Sequence, residues 1–222
     1  MPFFAGLLDP RIAVVEAPLI GEPSDLPVDE AISIAHAVPR RRLEFATGRD
    51  CARRAMEALG HIKVALPRGQ DRMPIWPADL VGSITHTDAW TAAAVARRAD
   101  GFVAVGIDLE PAEPLPPDLW ASICSAEEQA NVAAISGMTP GLAARLVFCM
   151  KEAAFKCQFP LSSAMLEFAD LATNLDTGSG TFAATYQRAA CPFRIGDRLA
   201  GRFAVAAGHI ASAVVVTSEV AR

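Results

Sequence analysis

Hydrophobic positions along the chain follow two periods. Between residues 40 and 59, Leu43, Phe45, Ala46, Ala52, Met56 and Leu59 recur at about 3.6 residues, and Gly60 follows, so a helix stopping there is predicted. Three runs then read as strands: VGSITHT at 81–87, WTAAAVARR at 90–98 and FVAVGIDLE at 102–110. The ADG between the second and third is a hairpin signal. Ahead of the helix, IAVVEA at 12–17 reads as a short strand, then a proline-rich loop and a short helix. ALPRGQDRMPIWP at 65–77 carries turn residues throughout and reads as a loop or hairpin.

The pattern repeats in outline after EPAEPLPPDLW, a linker with four prolines between Pro111 and Pro117. A helix opens at Ser125, with Glu128 three residues on as a capping box, and a second covers 140–158. Strands follow at 166–175, 181–188, 198–208 and 209–217. Helices then strands, twice, imply an α+β protein of two similarly built halves, 1–112 and 113–222, with a cleft between them.

Composition narrows the field. With 52% hydrophobic and 20% charged residues among 222, the chain reads as soluble and globular. No apolar run approaches the roughly 18 residues that span a bilayer, and the N-terminus lacks the basic start of a signal peptide. Five cysteines without a CxxC pair argue for reduced thiols in the cytoplasm and against zinc. A net charge of −5 excludes a general nucleic-acid binder. Residues 39–54 are the local exception, with six arginines against Glu44 and Asp50, a cluster suited to a small, highly charged anion.

Candidate chemistry lies in four places. In AVGIDLEP, strand alternation puts Asp108 and Glu110 on one face, and their repulsion calls for a proton, an arginine or a cation such as Mg²⁺. A solvated strand end is the competing reading. In FCMKEAAFK, Lys151, Glu152 and Lys156 are the only charges between Leu146 and Gln158. Glu152 and Lys156 make either an ordinary i,i+4 surface pair or part of a metal–phosphate site. GSITHT offers hydroxyls and His86 after a glycine, as an anion-binding turn or a packed strand. Arg42, Arg49 and Arg53 share a helical stripe, a phosphate-binding or merely solvated face; Arg68 carries no signal of its own.

In order, GSITHT, VGIDLEP and FCMKEAAFK resemble the three motifs of the 4′-phosphopantetheinyl transferases of the Sfp/EntD class. RRRLEFATGRDCARRAMEALG and MPIWPADLVGSITHT resemble the extended blocks of the enterobactin-synthase and actinobacterial branch. The resemblance runs from about residue 40 to 160. It implies two pseudo-symmetric α+β subdomains with the active site in the cleft between them. It also implies transfer of 4′-phosphopantetheine from coenzyme A to a serine of apo acyl or peptidyl carrier proteins, releasing 3′,5′-ADP. Carried over by position, Asp108, Glu110 and Glu152 would ligate Mg²⁺, or Mn²⁺, with Glu152 also taking the serine proton. Lys156 would stabilise charge on the pyrophosphate, and Lys151 would contact a CoA phosphate. Arg41, Arg49, Arg68 and His86 match positions that hold the nucleotide; here the resemblance favours Arg41 where helical phase favours Arg42. Phe159, Leu161 and Met165 are positional candidates for the carrier-docking face. A cleft formed within one chain implies a monomer, with no nucleic acid and no membrane as partner. Two other readings are an inactive CoA- or nucleotide-binding protein and a magnesium-dependent phosphohydrolase that needs no protein partner.

Overall fold

The computed structural model describes residues 2–20, 26–69, 71, 73–135 and 137–218. Part of the proline-rich loop after the first strand lies outside them. Its elements in chain order are β1 (Ala13–Pro18), α1 (Val28–Ala31), α2 (Pro39–Ala58), β2 (Leu80–His86), β3 (Trp90–Arg97) and β4 (Phe102–Pro111). They continue with α3 (Trp120–Ile123), α4 (Ala126–Ala133), α5 (Pro140–Ser162), β5 (Leu171–Asp176), β6 (Thr181–Tyr186), β7 (Arg198–Ala206) and β8 (His209–Thr217). The fold is α+β, as expected.

Two antiparallel sheets result, ordered β1-β3-β2 and β4-β8-β7-β6-β5. Helix α2 covers one face of the smaller sheet through Cys51, Ala52, Ala55 and Met56 against Leu80, Ala93 and Val95. Helix α5 covers the larger sheet. The remaining faces pack together, Ala92, Ala94 and Ala96 against Val105, Ile107, Leu109, Ala211 and Ala213. Strand β3 is therefore buried on both faces, which explains why its sequence is continuously apolar rather than alternating.

The expected hairpin at ADG does not form. Strand β3 already has β1 and β2 on its two edges, so the next strand has no edge to join. The chain turns through Gly101, at φ 87°, and β4 pairs with β8 instead. The strand expected from 166 begins at Leu171, because Glu167 and Asp170 close a capping box around a 3₁₀ turn.

Two contacts set the site. Gly106 lies under α5 so closely that a Cβ would stand 2.1 Å from the Ala153 carbonyl oxygen and 2.5 Å from the Cys157 nitrogen. Only glycine permits that approach. It brings the Glu152–Lys156 turn of α5 beside Asp108, two residues along β4. The edges of β2 and β4 then meet through hydroxyls in place of a ladder. Ser83 Oγ accepts from the Ile107 N–H at 3.1 Å and Thr85 Oγ1 from the Leu109 N–H at 3.2 Å.

Candidate active site

A cavity of about 290 Å³ opens where α2, β2, β4 and α5 converge. Arg41, Arg49, Arg68 and His86 line it, and so do Asp108, Glu110, Glu152 and Lys156. Residues from four separate motifs thus share one wall system. Lys151 is the expected member the structure does not bring in. Its side chain is 2% exposed, and its ammonium donates to the Ile123 carbonyl at 2.8 Å, Glu128 Oε2 at 2.7 Å and the Phe168 carbonyl at 2.9 Å. Three acceptors saturate its three protons, so in this arrangement Lys151 is tied into the fold and offers no free donor to the expected CoA phosphate.

Both carboxylates of β4 point toward α5, as alternation requires. Asp108 is buried; its Oδ1 accepts from Lys156 Nζ at 2.5 Å and from Thr85 Oγ1 at 3.0 Å. Its Oδ2 is buried and has no hydrogen-bond partner among the described residues. Glu110 accepts from Arg145 Nη1 at 3.0 Å. Burial, reinforced by Asp108, nevertheless pushes its pKa up to about 7. Burial also raises the pKa of Glu152 against the pull of Lys156. For Lys156 burial disfavours the ammonium, but Asp108 and Glu152 outweigh it and the pKa is raised. The i,i+4 surface pair of Glu152 with Lys156 is not made, since Lys156 turns to Asp108.

These carboxylates have the chemistry a hard divalent cation uses. One buried oxygen has no hydrogen-bond partner among the described residues, and burial first, then the charge of Asp108, pushes two neighbouring carboxylates toward protonation, a condition that a bound cation would relieve. Among the described residues no three His, Cys, Asp or Glu side chains stand close enough to hold a metal as they are. Lys156 and Arg145 occupy the carboxylates in this arrangement.

The opposite wall is basic. Arg41, not Arg42, lines the cavity; its Nη1 lies 2.9 Å from His86 Nε2 and donates to Glu44 Oε2 at 3.0 Å. Burial lowers the pKa of His86. Arg49 is buried and stacks over Phe45 at 4.4 Å, and burial lowers its pKa to about 10. Arg53, the third residue of the expected stripe, turns away to Glu30. Of the docking candidates, Phe159 is buried and Met165 is exposed.

Sequence reasoning missed Arg145 and Glu44 as site residues and offered Thr85 only as one of several hydroxyls in GSITHT. Arg145 stands seven residues before Glu152, two helical turns on the same face, a spacing that marks it in retrospect. Glu44 follows Arg41 by three and is its helical neighbour. Nothing in the sequence alone singles out Thr85 from the other hydroxyls of GSITHT.

Comparison with known proteins agrees with this architecture. A family model for the 4′-phosphopantetheinyl transferase N-terminal domain matches residues 29–96, and one for the 4′-phosphopantetheinyl transferase superfamily matches 104–207. The 4′-phosphopantetheinyl transferase Svp of Streptomyces mobaraensis is 37% identical over 220 residues, covering 94% of this chain and 87% of that protein. The 4′-phosphopantetheinyl transferase Npt of Nocardia iowensis is 37% identical over 76% of this chain and 79% of its own. Enterobactin synthase component D of Escherichia coli is 33% identical over 55% of this chain and 57% of its own. With one relative 37% identical over 94% of the chain and the two family models matching 29–96 and 104–207, the chain belongs to the 4′-phosphopantetheinyl transferases of the Sfp/EntD type, a family of enzymes that use coenzyme A as substrate.

Proposed function

We propose that this enzyme moves the 4′-phosphopantetheine group of coenzyme A onto a serine hydroxyl of an apo acyl or peptidyl carrier protein and releases 3′,5′-ADP. The observation that carries the proposal is the cavity in which three arginines and His86 stand beside four carboxylates, Glu44, Asp108, Glu110 and Glu152, and a lysine. Arg49 and Arg68, with Arg41 and His86, offer the nucleotide phosphates charge and forked donors. A bond forms between serine Oγ and the phosphorus that bears pantetheine. The bond from that phosphorus to the bridging oxygen breaks, and its electron pair leaves with 3′,5′-ADP. Glu152 takes the serine proton, and its raised pKa makes it a stronger base than an exposed carboxylate. Lys156, kept protonated by Asp108, neutralises charge on the pyrophosphate oxygens as the bond breaks. Asp108, Glu110 and Glu152 would hold Mg²⁺, or Mn²⁺, which when bound supplies further charge neutralisation of the phosphate oxygens.

The nucleophile belongs to the partner, so no serine–histidine pair is needed within this chain. The likeness to enterobactin synthase component D favours carriers of secondary metabolism, siderophore assembly among them. We take the halves as 1–112 and 113–222, divided at the proline-rich link, with β4 lent by the first half to the second sheet. A cavity walled by one chain needs no second copy, so the enzyme acts as a monomer, and in the cytoplasm, where coenzyme A and carrier meet. Among the described residues no helix is long and apolar enough to cross a membrane.

Chromatography of 3′,5′-ADP tests the reaction class. With coenzyme A and Mg²⁺, release that requires an apo carrier supports the transferase. Release without a carrier points to a phosphohydrolase. Bound coenzyme A with no release, whatever carrier is supplied, points to an inactive binding protein.

A further inference from the structure

A buried ion pair outside the cavity is wired to its basic wall. Glu30, on α1, is fully buried, and Arg53 Nη1 donates to its two carboxylate oxygens at 2.9 and 2.7 Å. The Leu66 N–H donates to Glu30 Oε1 at 2.7 Å, and the Leu66 carbonyl accepts from Arg49 Nε at 2.8 Å. Arg49 and Arg53 stand one turn apart on α2, so the connections close a circuit from Arg53 through Glu30 and the Leu66 residue to Arg49. Leu66 is itself fully buried, and two residues beyond it Arg68 joins Arg49 in lining the cavity.

The circuit constrains the arginines in two ways. Nε of Arg49 is committed to a carbonyl and one guanidinium face to the Phe45 ring, while Nη1 and Nη2 have no acceptor among the described residues. Because a guanidinium is planar, holding its Nε and one face fixes the direction of the remaining donors. Glu30 also supplies the carboxylate charge that offsets the repulsion on Arg49 from Arg53, Arg41 and Arg68. A buried carboxylate held by a guanidinium and a backbone N–H is a rigid anchor, since none of its partners can swing into solvent.

We propose that Glu30 is a positioning residue: through the Leu66 peptide units it aims Arg49 and seats Arg68, and so makes the cavity selective for a nucleotide that carries a ribose 3′-phosphate. The inference rests on the reading that coenzyme A places its nucleotide against these arginines.

The test compares coenzyme A with dephospho-coenzyme A on the wild-type enzyme and on Glu30→Gln, which keeps the shape and an acceptor while removing the charge. The KM for coenzyme A rises about tenfold, the weight of one charge-assisted hydrogen bond, while kcat and the KM for dephospho-coenzyme A hold. An equal rise for both substrates, or no rise in a folded variant, overturns the proposal. A wild-type enzyme indifferent to the 3′-phosphate overturns the nucleotide reading, and the clamp with it. A second measurement needs no variant: in the wild type, 3′,5′-ADP slows hydrogen exchange at the Leu66 amide more than 5′-AMP does. Equal exchange with the two nucleotides contradicts the clamp.

Discussion

Thr85→Val isolates the hydroxyl at which the two halves and the carboxylate cluster meet. Thr85 Oγ1 donates to Asp108 Oδ1 at 3.0 Å and accepts from the Leu109 N–H at 3.2 Å and Lys156 Nζ at 3.3 Å. Valine keeps the branched shape and removes all three bonds. The Leu109 N–H is buried and loses its acceptor, which costs about 1–3 kcal/mol. For a chain of this length about 2 kcal/mol lowers Tm by about 4–8 °C. Asp108 keeps only Lys156 on Oδ1, so the carboxylate and the ammonium lose a shared reference point. A misplacement of that kind lowers kcat by about tenfold to a hundredfold. Thermal unfolding and initial rates of 3′,5′-ADP release read the two effects separately. Thr85→Ser, which retains the hydroxyl, restores both. An unchanged Tm and kcat in Thr85→Val refutes the bridge, and a lower Tm with unchanged kcat refutes the positioning of Asp108.

Other outcomes follow from the same geometry. Lys151→Met leaves Glu128 buried without its cation and costs about 3–5 kcal/mol, measured by urea unfolding, while the folded enzyme keeps its affinity for coenzyme A. Burial works against the Glu128 carboxylate, but Lys151, Thr173 and Ser125 together lower its pKa below the usual value. Its contribution to stability is therefore present above the unfolded pKa of about 4.3 and lost as pH falls through the lower folded value. Glu128→Gln flattens that acid limb in a pH series of unfolding curves. Four of the five cysteines are buried, and burial raises Cys51 and Cys124 to about 11 and Cys157 to about 12. Only Cys191 is exposed, so a disulfide exchange reagent titrates one thiol in the native enzyme and five after denaturation. Gly106→Ala forces α5 away from β4, and loss of transfer together with a lower Tm checks it.

Much of this arrangement was legible from periodicity. Alternation correctly put Asp108 and Glu110 on one face, and the Ser125–Glu128 pair formed the capping box its spacing implied. The helical run at 40–59 became α2, with Pro39 at its first turn and Gly60 beyond its end. What failed were inferences about partners, because a pattern along the chain does not state which distant segment completes it. ADG carried a valid turn signal, yet pairing depended on whether β3 had a free edge. Lys151 and Lys156 look alike in sequence, five residues apart on one helix. One is turned toward Glu128 and the other toward Asp108, a difference set by how α4 and β4 pack on opposite sides of α5. Glu30 follows Asp29 in a short, mostly apolar segment, and only the fold reveals that Glu30 is buried while Asp29 is exposed. That Arg41 rather than Arg42 lines the cavity follows from the position of His86 at the end of β2, which helical phase alone does not contain.

The most direct measurement is the intact mass of an apo carrier protein after incubation with this enzyme, coenzyme A and Mg²⁺. The account expects a gain of one 4′-phosphopantetheine group per carrier, abolished in Glu152→Ala and by chelation of the metal. Carriers from several pathways that keep their apo mass, with coenzyme A bound or hydrolysed nonetheless, would contradict it.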